Sequence, residues 1–250
     1  IIALDLIGLD WEMTEEVRRA VSEGGGLPAE SVLVNCSHTH AGPEVRRYQK
    51  YVSLVADKLG AAALVASYNL QPAAAIYAED SIEFNVNRRL MDAEGNVRMA
   101  PNPDGPVDHR VRVLRFDAQG AKPLAILALT ACHANALGSP NLSISADYPG
   151  VAQPLVASAF GQDCPFLFVQ GCTGNIRPNV AGEGGFHSAD EDEVRWCGYS
   201  LAAAVMRATA RAGMKSERAA SALGDELAIA QAILPLPDRQ GGTTAYPLQI

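Results

Sequence analysis

Two histidines that lie two residues apart, His38 and His40, are the side chains of this sequence best suited to carry chemistry. They belong to the segment SHTHAGP at residues 37–43, which directly follows the run SVLVNC at residues 31–36. Such a run is typical of a buried strand, and side chains two residues apart on a strand share one face. If the strand extends through the segment, both imidazoles enter the same crevice. They could bind a metal or combine one ligand with a proton donor, although a His-x-His pair also occurs often by chance.

Two more polar junctions follow apolar runs that are typical of strands. The run LAILAL at residues 124–129 leads to His133, and the run PFLFV at residues 165–169 leads into a Gly-rich segment at residues 170–179. Functional groups of open α/β sheets collect where strands end, so the three junctions could converge on one crevice. His38 and His133 are then candidate metal ligands, with a position left for water or substrate. For His133 alone, a hydrogen-bonded core histidine is the alternative.

Other polar groups near these junctions allow two interpretations each. The backbone amides of the Gly-rich segment 170–179 could surround a developing oxyanion, or its glycines could serve a tight turn that needs positive φ. Asp147 opens a predicted helix, so we expect it to be the N-cap of that helix. Its carboxylate could instead orient a ligand histidine.

Composition and charge are those of an ordinary globular domain. A length of 250 residues is enough for one domain with a sizeable core, and 48% apolar and 19% charged residues are ordinary for a globular protein. A net charge of −8 without a basic cluster argues against a nucleic-acid partner. The five cysteines lack the regular spacing of a disulfide framework, and no transmembrane segment or signal peptide is visible. Both ends of the sequence look like strand interiors, so we expect a single domain cut at both ends.

The order of the elements that must position these residues follows from hydrophobic periodicity and turn signals. Strands are predicted at residues 1–9, 31–37, 73–86, 111–116, 124–132, 165–169 and 221–234, and helices at residues 14–23, 48–68, 148–160 and 191–212. Thr14 is the expected N-cap of the first helix, and the acidic run 190–193 should begin the last one, where the helix dipole favours it. This alternation predicts an α/β fold with a mixed sheet flanked by helices.

Taken in order, these segments resemble the amino-terminal catalytic domain of the neutral/alkaline (non-lysosomal) ceramidases and their bacterial relatives. Residues 37–43 are similar to that family's Thr-His-Thr-His-Ser-Gly-Pro, residues 87–89 (NRR) to its Asn-Arg-Ser, residues 145–150 (SADYPG) to its Ser-x-Asp-x-x-Gly and residues 174–179 (GNIRPN) to its Gly-Asp-x-Ser-Pro-Asn. His133 stands where the family has a second histidine after an apolar strand. The order and approximate spacing agree over roughly residues 1–180.

The resemblance implies that residues 1–250 are part of a ceramidase-like catalytic domain. His38 and His133 would be zinc ligands, His40 would contact the substrate or its oxyanion, and Arg88 would line the active site. The family hydrolyses the amide of N-acyl sphingoid bases with a zinc-bound water.

Two departures from the family pattern shape the prediction. Arg177 replaces a serine that is often treated as catalytic, and no convincing match exists for the family's remaining zinc ligands, a Glu and a Tyr. Arg177 would be a fixed cation in the site, which favours an anionic group near the scissile bond, unless its side chain points into solvent.

We therefore predict a zinc-dependent hydrolase of an amide bond. His38 and His133 would bind the metal, and His40, Arg88 and Arg177 would form the catalytic set. The substrate is expected to be a small molecule, lipid-like or anionic, and it need not be ceramide. The alternative is a catalytically inactive relative that acts as a ligand-binding module.

Overall fold

A computed structural model describes residues 1–119, 122–161, 164–216, 231–237 and 243–249 of the chain. Its strands and helices, in chain order, are β1 (Ile2–Leu4), α1 (Trp11–Gly25), β2 (Val34–Cys36), α2 (Gln49–Tyr68), β3 (Ala74–Ser81), β4 (Asn85–Met91), β5 (Val97–Asn102), β6 (Arg110–Asp117), β7 (Pro123–Thr130), α3 (Asp147–Phe160), β8 (Phe166–Gln170), β9 (Ile176–Pro178), β10 (Ala181–Gly182), β11 (Gly185–Phe186), α4 (Glu191–Ser216), β12 (Gln231–Pro237) and β13 (Thr243–Gln249).

The main sheet has four strands in the order β3–β6–β7–β8, and it is mixed. Strand β8 runs parallel to β7, whereas β6 is antiparallel to both β3 and β7. A second, three-stranded sheet has the order β5–β4–β9, and β1 pairs with β2 in parallel. The predicted α/β fold with a mixed sheet and flanking helices is confirmed.

The largest buried cluster lies between the main sheet and helices α3 and α4. It includes Val111 and Val113 from β6, Ile126 from β7, and Leu201 and Val205 from α4. Strand β6 buries every second residue, as expected for a strand with one face on a core. Each such side chain contributes about 1.5–3 kcal/mol when it is fully buried. This core fixes the strand ends from which two of the three polar junctions continue.

Helices α1 and α2 form a second layer beside the β1–β2 pair. They approach each other closely at two glycines, Gly24 and Gly60, because a Cβ at Gly60 would lie 2.8 Å from the carbonyl oxygen of Ala20. Val17 and Val21 of α1 pack in the cluster that also contains Val34 of β2. The histidine segment leaves β2 from this layer.

Helix α1 begins earlier than predicted. It starts at Trp11, and its N-cap is Asp10, whose side chain accepts a hydrogen bond from the Met13 amide at 2.9 Å. The prediction of Thr14 as N-cap is wrong, because the Thr14 hydroxyl lies inside the helix and donates to the carbonyl of Asp10. An aspartate three residues before a free amide is the better acceptor.

Helices α2, α3 and α4 and strands β6, β7 and β8 lie where the sequence predicts them, within a few residues. The acidic run does begin α4, where Asp190 and Glu193 cap each other's backbone amides at 2.9 and 3.0 Å. Residues 231–234 of the last predicted strand lie in β12, and residues 221–230 lie outside the described ranges.

Three predicted strands differ from the structure. Strand β1 is confined to Ile2–Leu4 instead of residues 1–9, and β2 to Val34–Cys36 instead of residues 31–37. The predicted strand 73–86 contains parts of β3 and β4, which belong to different sheets. None of the helices in the described ranges is both long and apolar enough to cross a membrane.

Candidate metal centre

Three histidines meet beside the ends of β2 and β7. The ring centroids of His38 and His133 lie 4.7 Å apart, those of His38 and His40 lie 5.1 Å apart, and those of His40 and His133 lie 5.5 Å apart. One ligand atom from each ring lies within 4.8 Å of the others. His133 is buried, His38 is half-buried and His40 is exposed. The cluster is therefore open to solvent on the side of His40.

The two histidines of the SHTHAGP segment come together through a turn. Strand β2 ends at Cys36, so the prediction that the strand continues through the segment is wrong. His38 has a φ of 61°, in the left-handed region that a side chain normally avoids. Its backbone amide donates to the carbonyl of Leu6 at 3.0 Å, and the His40 amide donates to that of Ala134 at 3.2 Å. Backbone strain of this kind persists where surrounding contacts hold it, as at many functional sites.

The histidines His38 and His133 each have a fixed ring orientation. Nδ1 of His38 lies 2.6 Å from the carbonyl oxygen of Ile7, and Nδ1 of His133 lies 2.7 Å from that of Thr173. A carbonyl oxygen can only accept a hydrogen bond, so Nδ1 carries the proton in both rings. The Nε2 lone pair is then free in each ring, and this is the arrangement found for metal-bound histidines.

The environment favours the neutral form of His133 and His40. Burial lowers the pKa of His133 to about 4, and the charge of Arg88 lowers it as well. The hydrogen bond to the carbonyl of Thr173 acts in the opposite direction and raises the pKa, but by less. Burial also lowers the pKa of His40, and the neighbouring His38, Arg88 and Arg177 lower it further. Neutral imidazoles are the forms that bind metal or accept a proton.

The donor set fits zinc. Three imidazole nitrogen donors and an exposed side match a catalytic zinc site, which uses three protein ligands and leaves one position open. Within the described part of the chain, no carboxylate or thiolate belongs to the histidine cluster. His40 is thus a third potential donor, whereas the motif resemblance implies that it contacts the substrate.

Arg88 and Arg177 come from neighbouring strands of the second sheet, in which Val86 of β4 pairs with Arg177 of β9. Arg88 donates from Nε to the carbonyl oxygen of Gly174 at 3.1 Å. Arg177 donates from Nη2 to the carbonyl oxygen of Asn135 at 3.2 Å and is only 8% exposed. The alternative that Arg177 points into solvent is therefore wrong.

The Gly-rich segment after β8 holds the side chains of His133 and Arg88 with its carbonyl groups. Those of Thr173 and Gly174 accept from His133 and Arg88, respectively. Neither Gly171 nor Gly174 has a positive φ, so the alternative of a positive-φ turn is wrong. Gly171 instead permits close approach, because a Cβ there would lie 3.1 Å from the carbonyl oxygen of Thr130. The contacts of this segment give no support to an oxyanion hole built from its amides.

Asp147 organises the loop that follows His133. The residue before it, Ala146, is the N-cap of α3, so the prediction of Asp147 as N-cap is wrong. The buried carboxylate accepts from the amides of Leu137 at 2.9 Å and Tyr148 at 2.8 Å, and it does not bond to a histidine. Asp147 also has a positive φ of 59°. It steadies the loop whose carbonyl oxygens, at Ala134 and Asn135, bond to the histidine segment and to an arginine.

Comparison with known proteins identifies the fold. The sequence matches no known family model and no curated protein. Among solved structures, a ceramidase complexed with C2 has a TM-score of 0.73 and 18% identity over 97% of this chain. The chain has a ceramidase fold. The neutral ceramidase from Pseudomonas aeruginosa has a TM-score of 0.67 and 20% identity over 97% of this chain.

The two matches cover nearly all of this chain but less than half of each ceramidase. The chain spans 41% of the length of each of the two ceramidases. At this level of identity the likeness shows a shared fold, and it agrees with the motif resemblance found in the sequence. The five residues predicted from the sequence lie near one another, but their supports, namely the carbonyl groups of Ile7, Thr173 and Asn135, were not predicted. A backbone carbonyl has no sequence signal of its own, so no pattern could have found them.

Proposed function

We propose that residues 1–250 form part of a ceramidase-like catalytic domain that uses zinc to hydrolyse an amide bond of a small-molecule substrate. The observation that carries this proposal is the pair of histidines, His38 and His133, whose Nδ1 atoms are held by backbone carbonyl groups and which each bring one ring nitrogen within 4.8 Å of one on His40. The shared ceramidase fold supports the same reaction class.

Each residue of the site has a distinct part in this proposal. His38 and His133 would hold zinc through Nε2. When bound, zinc supplies Lewis acidity and an activated water at neutral pH. His40 has an exposed ring without a hydrogen bond to the described residues, so it can contact the substrate or the oxyanion that forms from it. Arg88 and Arg177 would stabilise negative charge that develops at the scissile carbonyl, where fixed donors are most effective.

A ligand-binding module without turnover is the second candidate function. It is favoured by Arg177, because a guanidinium cannot act as a nucleophile and this residue replaces the serine of the resembling motif. The two candidates share the metal site and differ in whether substrate is consumed.

Metal analysis of the purified protein tests the zinc site. We expect one zinc per chain in the wild type and in the control His187→Ala, since His187 is a surface residue that pairs with Glu193. Loss of a hydrogen-bond partner of a ligand already weakens a metal site about 10–100-fold. His38→Ala, which removes a ligand itself, should weaken zinc binding further. His40→Ala should keep the metal and lose turnover, whereas loss of zinc in this variant would make His40 the third ligand.

Either of two results would overturn the zinc site: no zinc in the wild type, or unchanged zinc affinity in His38→Ala. A panel of N-acyl amides and esters then separates the two candidates. Amide turnover that depends on zinc supports the hydrolase, whereas a zinc-loaded protein that binds these compounds and leaves all of them intact supports the binding module.

A further inference from the structure

Arg88 and Arg177 are cations that form no ion pair with a carboxylate of the described residues. The ion pairs formed within the described ranges include neither of them. Both donate to backbone carbonyl oxygens, which offset little of a full charge. A buried cation normally needs an anionic partner, because desolvation of the charge is expensive.

The two guanidinium groups also lie close to each other. Val86 is opposite Arg177 in the β4–β9 ladder, and Arg88 is two residues further along β4. Such diagonal neighbours have Cα atoms about 7–8 Å apart, within reach of long side chains. Burial lowers the pKa of Arg177, and the charge of Arg88 lowers it further. Two like charges held together in this way oppose folding unless an anion joins them.

Arg177 is held in one orientation and keeps a free donor. Its guanidinium carbon lies 4.3 Å from the centre of the Phe186 ring, and its Nη2 atom bonds to the carbonyl group of Asn135. Its Nε atom is buried and has no hydrogen-bond partner in the part of the chain that the structure describes. A buried donor without a partner is rare in native proteins. The flat, fixed guanidinium with an unused N–H fits a carboxylate or phosphate oxygen.

Among the described residues, the surroundings offset this charge only in part. The carboxylate that acts on Arg177 from nearby is Asp147, and its oxygens already accept from the amides of Leu137 and Tyr148. The three clustered histidines bring no negative charge. In a chain of net charge −8, this is a local concentration of positive potential beside the candidate metal centre.

We propose that Arg88 and Arg177 form an anion subsite and that the substrate carries a carboxylate or phosphate group close to its scissile amide. The position of the amide rests on the proposed function, whereas the subsite itself can be tested by binding alone. The uncharged head of ceramide would leave both cations unpaired, so it fits this site less well than an acidic N-acyl compound.

Three probes with the same octanoyl amide test the subsite. N-octanoylethanolamine is uncharged, N-octanoylglycine carries a carboxylate, and N-octanoyl-O-phosphoethanolamine carries a phosphate. Affinity is measured by calorimetry and turnover by release of the amine, with zinc-loaded protein. Because hydrogen bonds between charged groups are strong, we expect at least one acidic probe to bind about tenfold or more tightly than the uncharged one. The tighter of the two acidic probes identifies the anion.

Substitution of each arginine tests whether the preference for acidic probes depends on Arg88 and Arg177. Arg177→Gln should bring the ratio of affinities close to one, and Arg88→Gln should reduce it as well. Arg89→Gln is the matched control, because Arg89 is an exposed neighbour on the same strand and its loss changes the net charge equally. It should keep the wild-type ratio. A thermal unfolding curve of each variant establishes that it is folded, and the less buried Arg88 provides a second route if Arg177→Gln fails to fold.

The possible results separate the two proposals. Selective binding of an acidic probe without turnover keeps the subsite and overturns amide hydrolysis. Turnover that favours N-octanoylethanolamine keeps the hydrolase and overturns the subsite. An acidic preference that survives in both arginine variants would come from the metal, and it would also overturn the subsite.

Discussion

Arginines outside the candidate site and arginines inside it have different kinds of partner. Between β6 of the main sheet and α4, the buried Arg115 donates to the carboxylate of Asp117 at 2.6 Å, and on the surface Arg207 pairs with Asp80 at 2.9 Å. In the site, Arg88 and Arg177 have carbonyl groups and an aromatic ring in place of a carboxylate. Paired arginines serve the stability of the fold, whereas unpaired ones cost stability and are typical of positions kept for binding.

The largest effect is expected where the buried pair is broken. Asp117→Ala removes the carboxylate that neutralises Arg115, and both side chains are almost completely buried. Breaking such a pair from one side costs about 3–5 kcal/mol of unfolding free energy. Urea unfolding of the variant and of the exposed control Asp104→Ala measures this. A loss in Asp117→Ala no larger than that of the control would mean that the pair does not stabilise the fold.

A much smaller effect on stability is expected from Arg177→Gln. This substitution loses the contact with Phe186 and the bond to Asn135, but it also removes a desolvated charge that no carboxylate of the described residues pairs with. Since replacement of buried charges is often neutral or stabilising, the unfolding free energy should stay within about 1 kcal/mol of the wild type or rise. The same urea measurement applies. A loss as large as that in Asp117→Ala would remove the distinction between the two kinds of arginine.

The sequence predicts the elements that depend on local patterns. Helix α2 has a long apolar stripe, and β6 to β8 are apolar runs bounded by turn residues, so burial alone defines them. The strand ends then indicate where polar side chains meet, which is how His38, His133 and Arg177 could be grouped before the structure was known. The ordered motifs of the resembling family added Arg88.

Local sequence patterns cannot predict features that depend on partners distant in the chain. The left-handed backbone of His38 is held by the carbonyl group of Leu6, and the role of Asp147 depends on the amide of Leu137. The boundary between β3 and β4 also depends on long-range pairing, because the two strands belong to different sheets. Residue type shows what can be buried, whereas the hydrogen-bond partner of a buried group is decided by the whole fold.

The smallest expected effect concerns the surface pair, and it depends on pH. Burial raises the pKa of Asp80, but hydrogen bonds from Arg207, from the amide of Ser81 and from Arg211 outweigh burial and lower the pKa to about 2. The carboxylate therefore binds its proton more readily in the unfolded chain, where its pKa is close to the ordinary 3.8. Its contribution to stability is fully present above that value and disappears as the pH falls through about 2.

Asp80→Asn measures this contribution against the buried pair. Exposed pairs are worth about 0.2–1 kcal/mol each, so at pH 6 the variant should be less stable than the wild type by about that amount per pair. The difference should shrink between pH 4 and pH 2, and salt should reduce it at pH 6 because exposed charges are screened. The loss in Asp117→Ala should respond much less to salt, since that pair is buried. A difference for Asp80→Asn that stays constant down to pH 2 would show that its carboxylate stabilises the fold by packing rather than by charge.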